Sequence, residues 1–311
     1  MSSAAKSPAA GRISRRDFLR SSATAGLGAA LAGTAFGQDP PQAAPAAAPA
    51  AVKSADELRV AVIGCGAQGR VLIEAMLRIP SVRIVAICDI WSYSRQYTGN
   101  YLKKYGHVAT TYEDYRDLLA SEKSLHAAIV ATPDWVHAEQ TNACLRAGLP
   151  VYCEKEMANS LDAARSMVAT ARSTGKLLQI GHQRRSNPRY IHAIDRLIRD
   201  KRLLGRVTAA FAQWNRAKAD LLGWPEKYVI DQATLDKYGY RSMTEFRNWR
   251  LYKKYGGGPM VDLGSHQIDL FSWVHGAPPK SVVASGGLDF YKDWEWYDNV
   301  MAIYEFGTKE G

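Results

Sequence analysis

Three side chains are of the right types to act together in removing a proton from an alcohol. Asp262 and His266 lie four residues apart in a predicted helix that follows the segment Gly256–Pro259, and this spacing places them on one face. A neutral imidazole, with a pKa of about 6.5, can accept the hydroxyl proton when a hydride leaves the same alcohol carbon. Lys155 could donate a hydrogen bond to the reacting oxygen, and Asp262 could hold either the imidazole or a substrate hydroxyl. A helix histidine at a domain boundary and a surface lysine are the alternative interpretations of His266 and Lys155.

Asp269 follows Asp262 by seven residues and lies on the same predicted helical stripe. We interpret it as a structural carboxylate rather than a catalyst. Gly264 removes bulk one turn away, where a flat ring or a sugar could approach.

A second group of residues is typical of a dinucleotide-binding site. The apolar run Leu58–Ile63 leads into a glycine-rich turn, a helical pattern begins there, and Asp89 ends a second apolar run twenty residues later. The first glycine permits the turn, the second lets the backbone approach a pyrophosphate, and the third lets helix and strand pack closely. Amides at the helix start hold the negative charge. The predicted cofactor contacts here are Gly64, Cys65, Gly66, Ala67, Gln68, Gly69 and, for the ribose hydroxyls, Asp89.

Asp89 also bears on which nicotinamide cofactor is bound. A carboxylate here repels the extra phosphate of NADP and accepts hydrogen bonds from a free hydroxyl, so NAD is favoured. Arg95 lies six residues further on and could pair with that phosphate, which leaves NADP open. Asp89 could also merely cap the helix that follows it.

Strand and helix patterns alternate along residues 57–182. The predicted strands are Leu58–Ile63, Val82–Cys88, Val108–Thr110, Ala127–Ala131, Val151–Cys153 and Leu177–Ile180. This alternation predicts an α/β fold with a parallel, doubly wound Rossmann sheet and its ligand at the carboxyl ends of the strands. Further cofactor contacts are predicted at those ends: Thr132, Pro133, His137, Glu154 and Lys155. For His137, as for His182 and Gln183, hydrogen bonding within a loop or helix start is an equal alternative.

The pattern changes after Gln183. A helix, Tyr190–Arg199, precedes three predicted strands, Val207–Trp214, Val282–Phe290 and Val300–Phe306, which indicates a second, α+β domain with a mainly antiparallel open sheet. Residues 215–255 form an insertion rich in aromatic side chains and arginines. Aromatic rings stack on sugar rings and arginines bind hydroxyls or carboxylates, although such residues also form cores and interfaces.

The amino terminus is typical of an export signal. Ser14–Arg20 resembles the twin-arginine signal, and a weakly apolar Ala/Gly run, Ala23–Phe36, follows that is too short for a membrane span. Gln38–Ala51 alternates Pro and Ala, as in a semi-rigid tether. The predicted organisation is a signal at residues 1–37, a linker at 38–56, a nucleotide-binding domain at 57–182 and a substrate and oligomerisation domain at 183–311. The predicted location is periplasmic or extracytoplasmic.

Composition argues against other classes of partner. The chain has 40 basic and 30 acidic residues, but the charges are interspersed, which disfavours a nucleic-acid partner. The four cysteines form no C-x-x-C pair and no metal-ligand spacing, so we predict buried thiols and no metal site. Cys65 and Cys88 end neighbouring predicted strands, and their approach to each other is the alternative. No stable membrane anchor is expected.

Residues 57–311 resemble the Gfo/Idh/MocA oxidoreductases, a family that includes glucose-fructose oxidoreductase and inositol dehydrogenase. Four pieces carry the resemblance: Gly64–Gly69, Thr132-Pro133 with His137, Glu154-Lys155, and the Gly-Gly-Pro loop leading to Asp262 and His266. The resemblance implies that Lys155, Asp262 and His266 are the catalytic set, and that the chain forms homo-oligomers through its open sheet. Glu156 stands where the family has proline. The chain ends at Gly311, just after a predicted strand, where family members continue, so a truncated sheet is expected.

These observations predict an enzyme that transfers hydride between a sugar or polyol alcohol and a tightly bound NAD(P). Redox-assisted cleavage of a glycoside by elimination is one alternative, since the same residues would serve it. A non-catalytic protein that binds cofactor or sugar is the other.

Overall fold

The computed structural model describes residues 57–218 and 220–307. Its helices and strands all belong to one compact unit, and residues 216–218 and 220 fall outside that unit and form neither. The predicted signal at residues 1–37 and the linker at 38–56 lie outside the described residues.

A six-stranded parallel sheet forms the centre of the first region, with strand order β3-β2-β1-β4-β5-β6. Its strands are β1 (Leu58–Ile63), β2 (Val82–Cys88), β3 (Thr110–Tyr112), β4 (Ala127–Val130), β5 (Val151–Glu154) and β6 (Leu178–Gly181). The order reverses direction at β1, which pairs with β2 on one side and β4 on the other. In such sheets the ligand crevice lies outside the carboxyl ends of the strands at this reversal.

Helices follow the strands of the first region. They are α1 (Ala67–Met76), α2 (Ser92–Lys104), α3 (Tyr115–Ser121), α4 (His137–Arg146) and α5 (Leu161–Thr174), with a short 3-10 turn at Asp134–Val136. Ser160 caps the start of α5 with its side chain, which accepts a hydrogen bond from the Ala163 amide, and Gly175, whose φ is +64°, caps its end. A capping side chain at the start and a left-handed glycine at the end are the usual boundaries of a helix.

The sheet is buried on both faces. The last four residues of β1, Val60–Ile63, are at most 2% exposed, and alternate ones pack into separate clusters on the two sides. Burial on both faces explains why the strands read as continuous apolar runs rather than alternating ones. The predicted Rossmann sheet is confirmed, and β1 and β2 have the predicted bounds.

The second region begins with 3-10 turns and short helices and ends in a two-stranded sheet. Its elements are the 3-10 turn Gln183–Ser186, α6 (Pro188–Ile191), the π-helix His192–Asp200, the 3-10 turn Glu226–Tyr228, α7 (Gln232–Lys237), α8 (Met243–Arg247), the 3-10 turn Trp249–Leu251, the π-helix Met260–Gly264, α9 (Ser265–His275), β7 (Pro279–Gly287) and β8 (Asn299–Phe306). Strands β7 and β8 pair antiparallel. The predicted helix Tyr190–Arg199 is therefore mostly a π-helix.

The predicted strand Val207–Trp214 is wrong: these residues form no strand. Its alternating apolar residues fit a half-buried strand, but within the described ranges no strand pairs with it, and Phe211 is 95% exposed. The predicted strand Val282–Phe290 is displaced toward the amino terminus, to β7. The antiparallel sheet of the second region is confirmed but small.

Most aromatic residues of the insertion belong to a core of their own. Tyr240 and Tyr255 are buried, together with Leu235 and Met243, against Trp91 at the start of α2. Further rings pack around this cluster: Trp135, Trp224, Tyr228, Tyr238, Phe246, Trp249 and Tyr252. The insertion is thus chiefly a hydrophobic cluster that joins the second region to the first.

Within the part of the chain that the structure describes, no helix has the length and apolar character needed to cross a bilayer. All four cysteines are buried free thiols.

Candidate active site

The glycine turn after β1 has the shape that a dinucleotide loop needs. Gly64 has φ of +95°, and a Cβ there would lie 2.6 Å from the Ala131 carbonyl group. A Cβ at Gly69 would overlap the Gly64 carbonyl oxygen, whereas a Cβ at Gly66 would meet nothing within 4 Å. The first and third glycines are therefore needed for the turn and its packing, and the second faces open space. This arrangement fits a pyrophosphate at the start of α1.

Asp89 is held at this turn by the backbone. Its Oδ2 accepts a hydrogen bond from the Cys65 amide and its Oδ1 accepts one from the Trp91 amide, both at 2.8 Å. Burial raises the pKa of the carboxyl group, although these two amides oppose the shift. A carboxylate has about four acceptor positions, so Asp89 can support the loop and still accept ribose hydroxyls. Both readings of Asp89, ribose acceptor and local cap, are compatible with this geometry.

Arg95 is engaged within the protein. Its Nη1 donates to the main-chain oxygen of Asp89 at 2.6 Å, and its Nη2 lies 3.3 Å from Glu113 Oε2. Another cation, Arg247 of the insertion, lies over the Trp91 ring at 4.5 Å. The Cys65 side chain is buried and its Sγ lies 3.7 Å from the Cys88 carbonyl oxygen, so Cys65 can serve a nucleotide only through its backbone.

His137, one of the predicted cofactor contacts, is hydrogen-bonded within the chain. It is fully buried, and its two ring nitrogens lie 2.6 Å from the Glu156 carbonyl oxygen and 2.7 Å from the Thr132 carbonyl oxygen. Burial opposes the charged imidazole, but the Cys153 thiol and the two carbonyls raise its pKa. Both ring nitrogens are occupied by the chain, so His137 ties together the loops after β4 and β5. The loop alternative left open by the sequence is the one observed.

The loops after β4 and β5 hold the other predicted contacts. Thr132 donates from Oγ1 to Gln140 Oε1 at 2.7 Å, and Pro133 precedes the 3-10 turn. Glu154 is 4% exposed and accepts hydrogen bonds from Gln68 Nε2 at 2.9 Å and from the Lys155 amide at 3.2 Å. A side chain at the end of β5 therefore holds the first turn of the glycine-loop helix.

Lys155 reaches the second region. Its Nζ lies 2.6 Å from the main-chain oxygen of Asp262 and 3.3 Å from Asp262 Oδ1. Arg250 Nε donates to the same Oδ1 at 3.0 Å. Two cations thus share one carboxylate, and Glu156 in the position of the family's proline does not prevent this contact.

Asp262 and His266 do not lie on one regular α-helix. Asp262 belongs to the π-helix Met260–Gly264, and His266 lies in the first turn of α9. Asp269 is bound by Arg185, whose Nε and Nη2 lie 2.8 to 3.1 Å from its carboxylate oxygens. The interpretation of Asp269 as a structural carboxylate agrees with this contact. A local π-helix is often found at functional sites.

His266 is 7% exposed and stacks on Trp214, with ring centroids 5.4 Å apart and planes inclined by 21°. Burial, followed by the nearby charges of Arg184, Lys155 and His182, lowers its pKa to about 4, and Asp262 only partly offsets these effects. The imidazole is therefore neutral at neutral pH and able to accept a proton.

Two residues of this site were missed from the sequence. Asp134 is 5% exposed, and burial raises its pKa to about 7 against the opposing charges of Arg250 and Lys155. Arg184 lies over the Trp214 ring at 5.2 Å. Both follow directly on strand ends that the sequence had marked, after Thr132-Pro133 and after His182-Gln183, and that position was the available signal.

Comparisons with known proteins agree with this architecture. Residues 58–182 match the model of the oxidoreductase family with an NAD-binding Rossmann fold, GFO/IDH/MocA, and residues 229–309 match its C-terminal domain. The chain is 31% identical over 185 residues to the inositol 2-dehydrogenase of Rubrobacter xylanophilus, covering 58% of this chain and 50% of that protein. It is 32% identical over 233 residues to the D-glucoside 3-dehydrogenase of Escherichia coli, covering 74% and 58%. The chain thus spans about half of the length of these curated relatives.

Solved structures share the fold. The scyllo-inositol dehydrogenase of Lactobacillus casei, with bound NAD(H) and scyllo-inositol, superposes with a TM-score of 0.59 at 18% identity, covering 80% of this chain and 66% of that one. GenD2 from gentamicin A biosynthesis, in complex with NAD, gives 0.62 at 22% identity, covering 85% and 66%.

Proposed function

The chain belongs to the Gfo/Idh/MocA family of NAD-binding oxidoreductases, and we propose that it transfers hydride between a secondary alcohol of a sugar or polyol and a tightly bound NAD. The observation that supports this proposal is the contact between Lys155 and Asp262. It joins the end of β5 to the segment that carries His266. Glu154, the neighbour of Lys155, bonds the glycine-loop helix, so Asp262 and that helix are both bound by residues at the end of β5.

Each proposed role follows from a side chain's protonation and contacts. His266 is neutral at neutral pH and accepts the alcohol proton on a ring nitrogen. Lys155 donates a hydrogen bond to the same oxygen and stabilises the negative charge that develops on it. Asp262 holds the Lys155 ammonium group, with Arg250 on the same carboxylate oxygen. Bound NAD supplies the acceptor for the hydride from the alcohol carbon, so that the alcohol becomes a ketone.

The direct test uses the purified full chain. Denaturation should release NAD or NADH in about equal amount to protein, and a panel of sugars and polyols should change the redox state of the bound nucleotide. Release of no nucleotide, with no reduction of added NAD by any sugar or polyol, would contradict the proposal. Cleavage of a chromogenic glycoside without net redox change would support the elimination alternative instead.

We also propose that the chain is exported through its twin-arginine-like segment, loaded with cofactor. The support is the residue pattern Ser14–Arg20 followed by the Ala/Gly run. Replacing Arg15 and Arg16 by lysine should retain the full-length chain in the cytoplasm of the producing bacterium. An unchanged distribution in cell fractions would contradict export by this route.

Self-association is the remaining proposal. Strands β7 and β8 expose apolar side chains, among them Val283, Met301 and Ile303, each 73% to 77% exposed. Burying such a surface would stabilise an assembly of identical chains. Light scattering of the purified chain would check it, and a monomer at all concentrations would rule it out.

A further inference from the structure

We propose that Arg184, with His182 beside it, forms an anion-binding subsite next to His266, and that the substrate is a sugar carrying an anionic group. The inference rests on the proposed function, since it names the substrate class of the same site. It arises from the contrast between Arg184 and its neighbour in sequence.

Arg184 and Arg185 are consecutive, but their guanidinium groups are differently satisfied. Arg185 binds the Asp269 carboxylate through two nitrogens. The Nη1 nitrogen of Arg184 is buried and has no hydrogen-bond partner among the residues that the structure describes. A buried charged donor without an acceptor is costly. Because Arg184 as a whole is only partly buried, its guanidinium group is expected to find a partner in a ligand.

The guanidinium group of Arg184 lies close to His266, the proposed base. It packs over Trp214 at 5.2 Å, and the same ring stacks on His266 at 5.4 Å. His182 Nδ1 is also buried without a hydrogen bond, 3.9 Å from Asp269 Oδ2. Arg184 and His182 both act on the charge state of His266. A ligand group on Arg184 would therefore belong to the molecule whose alcohol faces His266.

The balance of charge favours an anion over a hydroxyl group. Asp262 is already shared by Lys155 and Arg250, and Asp269 is taken up by Arg185. A hydroxyl would satisfy the Arg184 donor but leave its charge. A carboxylate or phosphate would satisfy both, and the guanidinium fork suits such groups.

An anionic substrate would also raise the pKa of His266 and so make it a stronger base. The positive charge of Arg184 is one of the causes that lower the pKa of His266 to about 4. An anion paired with Arg184 offsets that charge, so the imidazole becomes a stronger base only when substrate is bound. This dependence gives the subsite a consequence that simple packing of Arg184 on Trp214 would lack.

Calorimetric titration of the NADH-loaded full chain tests the inference. The probes are matched sets of glucose, galactose and mannose, their uronic acids and their 6-phosphates. We expect at least one acid or phosphate to bind about 10- to 100-fold more tightly than its neutral partner, and the preferred series tells carboxylate from phosphate. Arg184→Gln should remove this preference, weakening binding of the acid or phosphate about 10-fold or more beyond any loss of affinity for the neutral sugar.

The matched control is Arg189→Gln, because Arg189 is exposed and lies outside the site. It should preserve the preference. The inference is overturned if no acid or phosphate binds more tightly than its neutral partner, or if Arg184→Gln weakens acid and neutral sugar equally. Oxidation of a neutral sugar in that case would leave the proposed function standing, so the two failures are distinguishable.

Discussion

The six-stranded sheet and the two-stranded sheet differ in how far they are buried, and therefore in how they fix the position of site residues. Val62 in β1 is fully buried, whereas Val283 in β7 is 73% exposed. The glycine loop directly follows β1, which is packed on both faces, so the core of the first region fixes the shape of the loop. The segment that carries Asp262 and His266 is instead held by contacts with other parts of the chain, through Lys155 and Arg250.

This difference implies that nucleotide binding and proton transfer can be damaged separately. The first region should retain a nucleotide-binding loop when the second is altered at the base. The second should lose its arrangement when the first is disturbed, because its own sheet buries little.

The largest effect is expected from His266→Ala. Removing the base should lower the rate of sugar oxidation by about 10²-fold or more, while the nucleotide content of the purified chain stays unchanged. The control is His275→Ala on the same helix. His275 stacks on Phe306 of β8 rather than on the Trp214 ring beside His266. Loss of nucleotide together with activity would show that the two regions are not separable in this way.

Glycines in the two regions should respond differently to an added methyl group. Gly69→Ala places Cβ against the rigid Gly64 carbonyl oxygen and should lower the free energy of unfolding by roughly 3 kcal/mol. The Cβ added by Gly264→Ala would lie 2.9 Å from Cε at the flexible end of Met260, so this substitution should change the free energy of unfolding little. Urea unfolding compares the two variants. Equal destabilisation would mean that the second region is as tightly packed as the first.

A matched pair of valines compares the two sheets directly. Val62→Ala empties a fully buried position and should cost about 2 kcal/mol of unfolding free energy. Val283→Ala removes mostly exposed surface and should stay within about 0.5 kcal/mol. A large loss at Val283 in the same urea measurement would indicate that β7 is covered, as in a self-associated form.

The last comparison separates the two regions by the pH dependence of their stability. Because the pKa of His266 is about 4 in the fold and about 6.5 unfolded, the unfolded chain binds more protons between these values, and stability falls as pH drops. Asp134, with a raised pKa of about 7, has the opposite effect: stability falls as pH rises from about 4 toward 7.

His266→Gln should therefore reduce acid sensitivity, and Asp134→Asn should reduce the loss toward neutral pH, each by at most about 1.4 kcal/mol per pH unit. Urea midpoints of the parent and both variants, taken from pH 4.5 to 7.5, measure these slopes. Slopes that change in the same direction in both variants would contradict this assignment.

The first region could be predicted closely because local patterns and burial agree there. Strands β1 and β2 have the bounds that their apolar runs indicate, and α5 starts and ends at Ser160 and Gly175 as capping requires. The glycine turn could be predicted for the same reason, since Gly64 and Gly69 each have a local geometric cause.

The second region depends on contacts that a pattern does not record. Val207–Trp214 alternates like a strand, but a strand also needs a partner, and the described residues provide none. Of the two interpretations of the insertion, carbohydrate contact and core packing, Tyr240 and Tyr255 follow the second, since they pack into a core with Trp91. Residue type and spacing predict Lys155, Asp262 and His266, and the structure brings Lys155 into contact with Asp262. Arg184 and Asp134 follow strand ends that the sequence marks, but their burial and neighbouring charges are visible only in the structure.

Two adjacent residues at the end of β5 face different parts of the machinery: Glu154 bonds Gln68 of the nucleotide-loop helix, and Lys155 bonds Asp262. A chimera could join this substrate region to a nucleotide-binding region from another protein. To keep both contacts, it would have to retain Glu154 and Lys155 together with their partners Gln68 and Asp262.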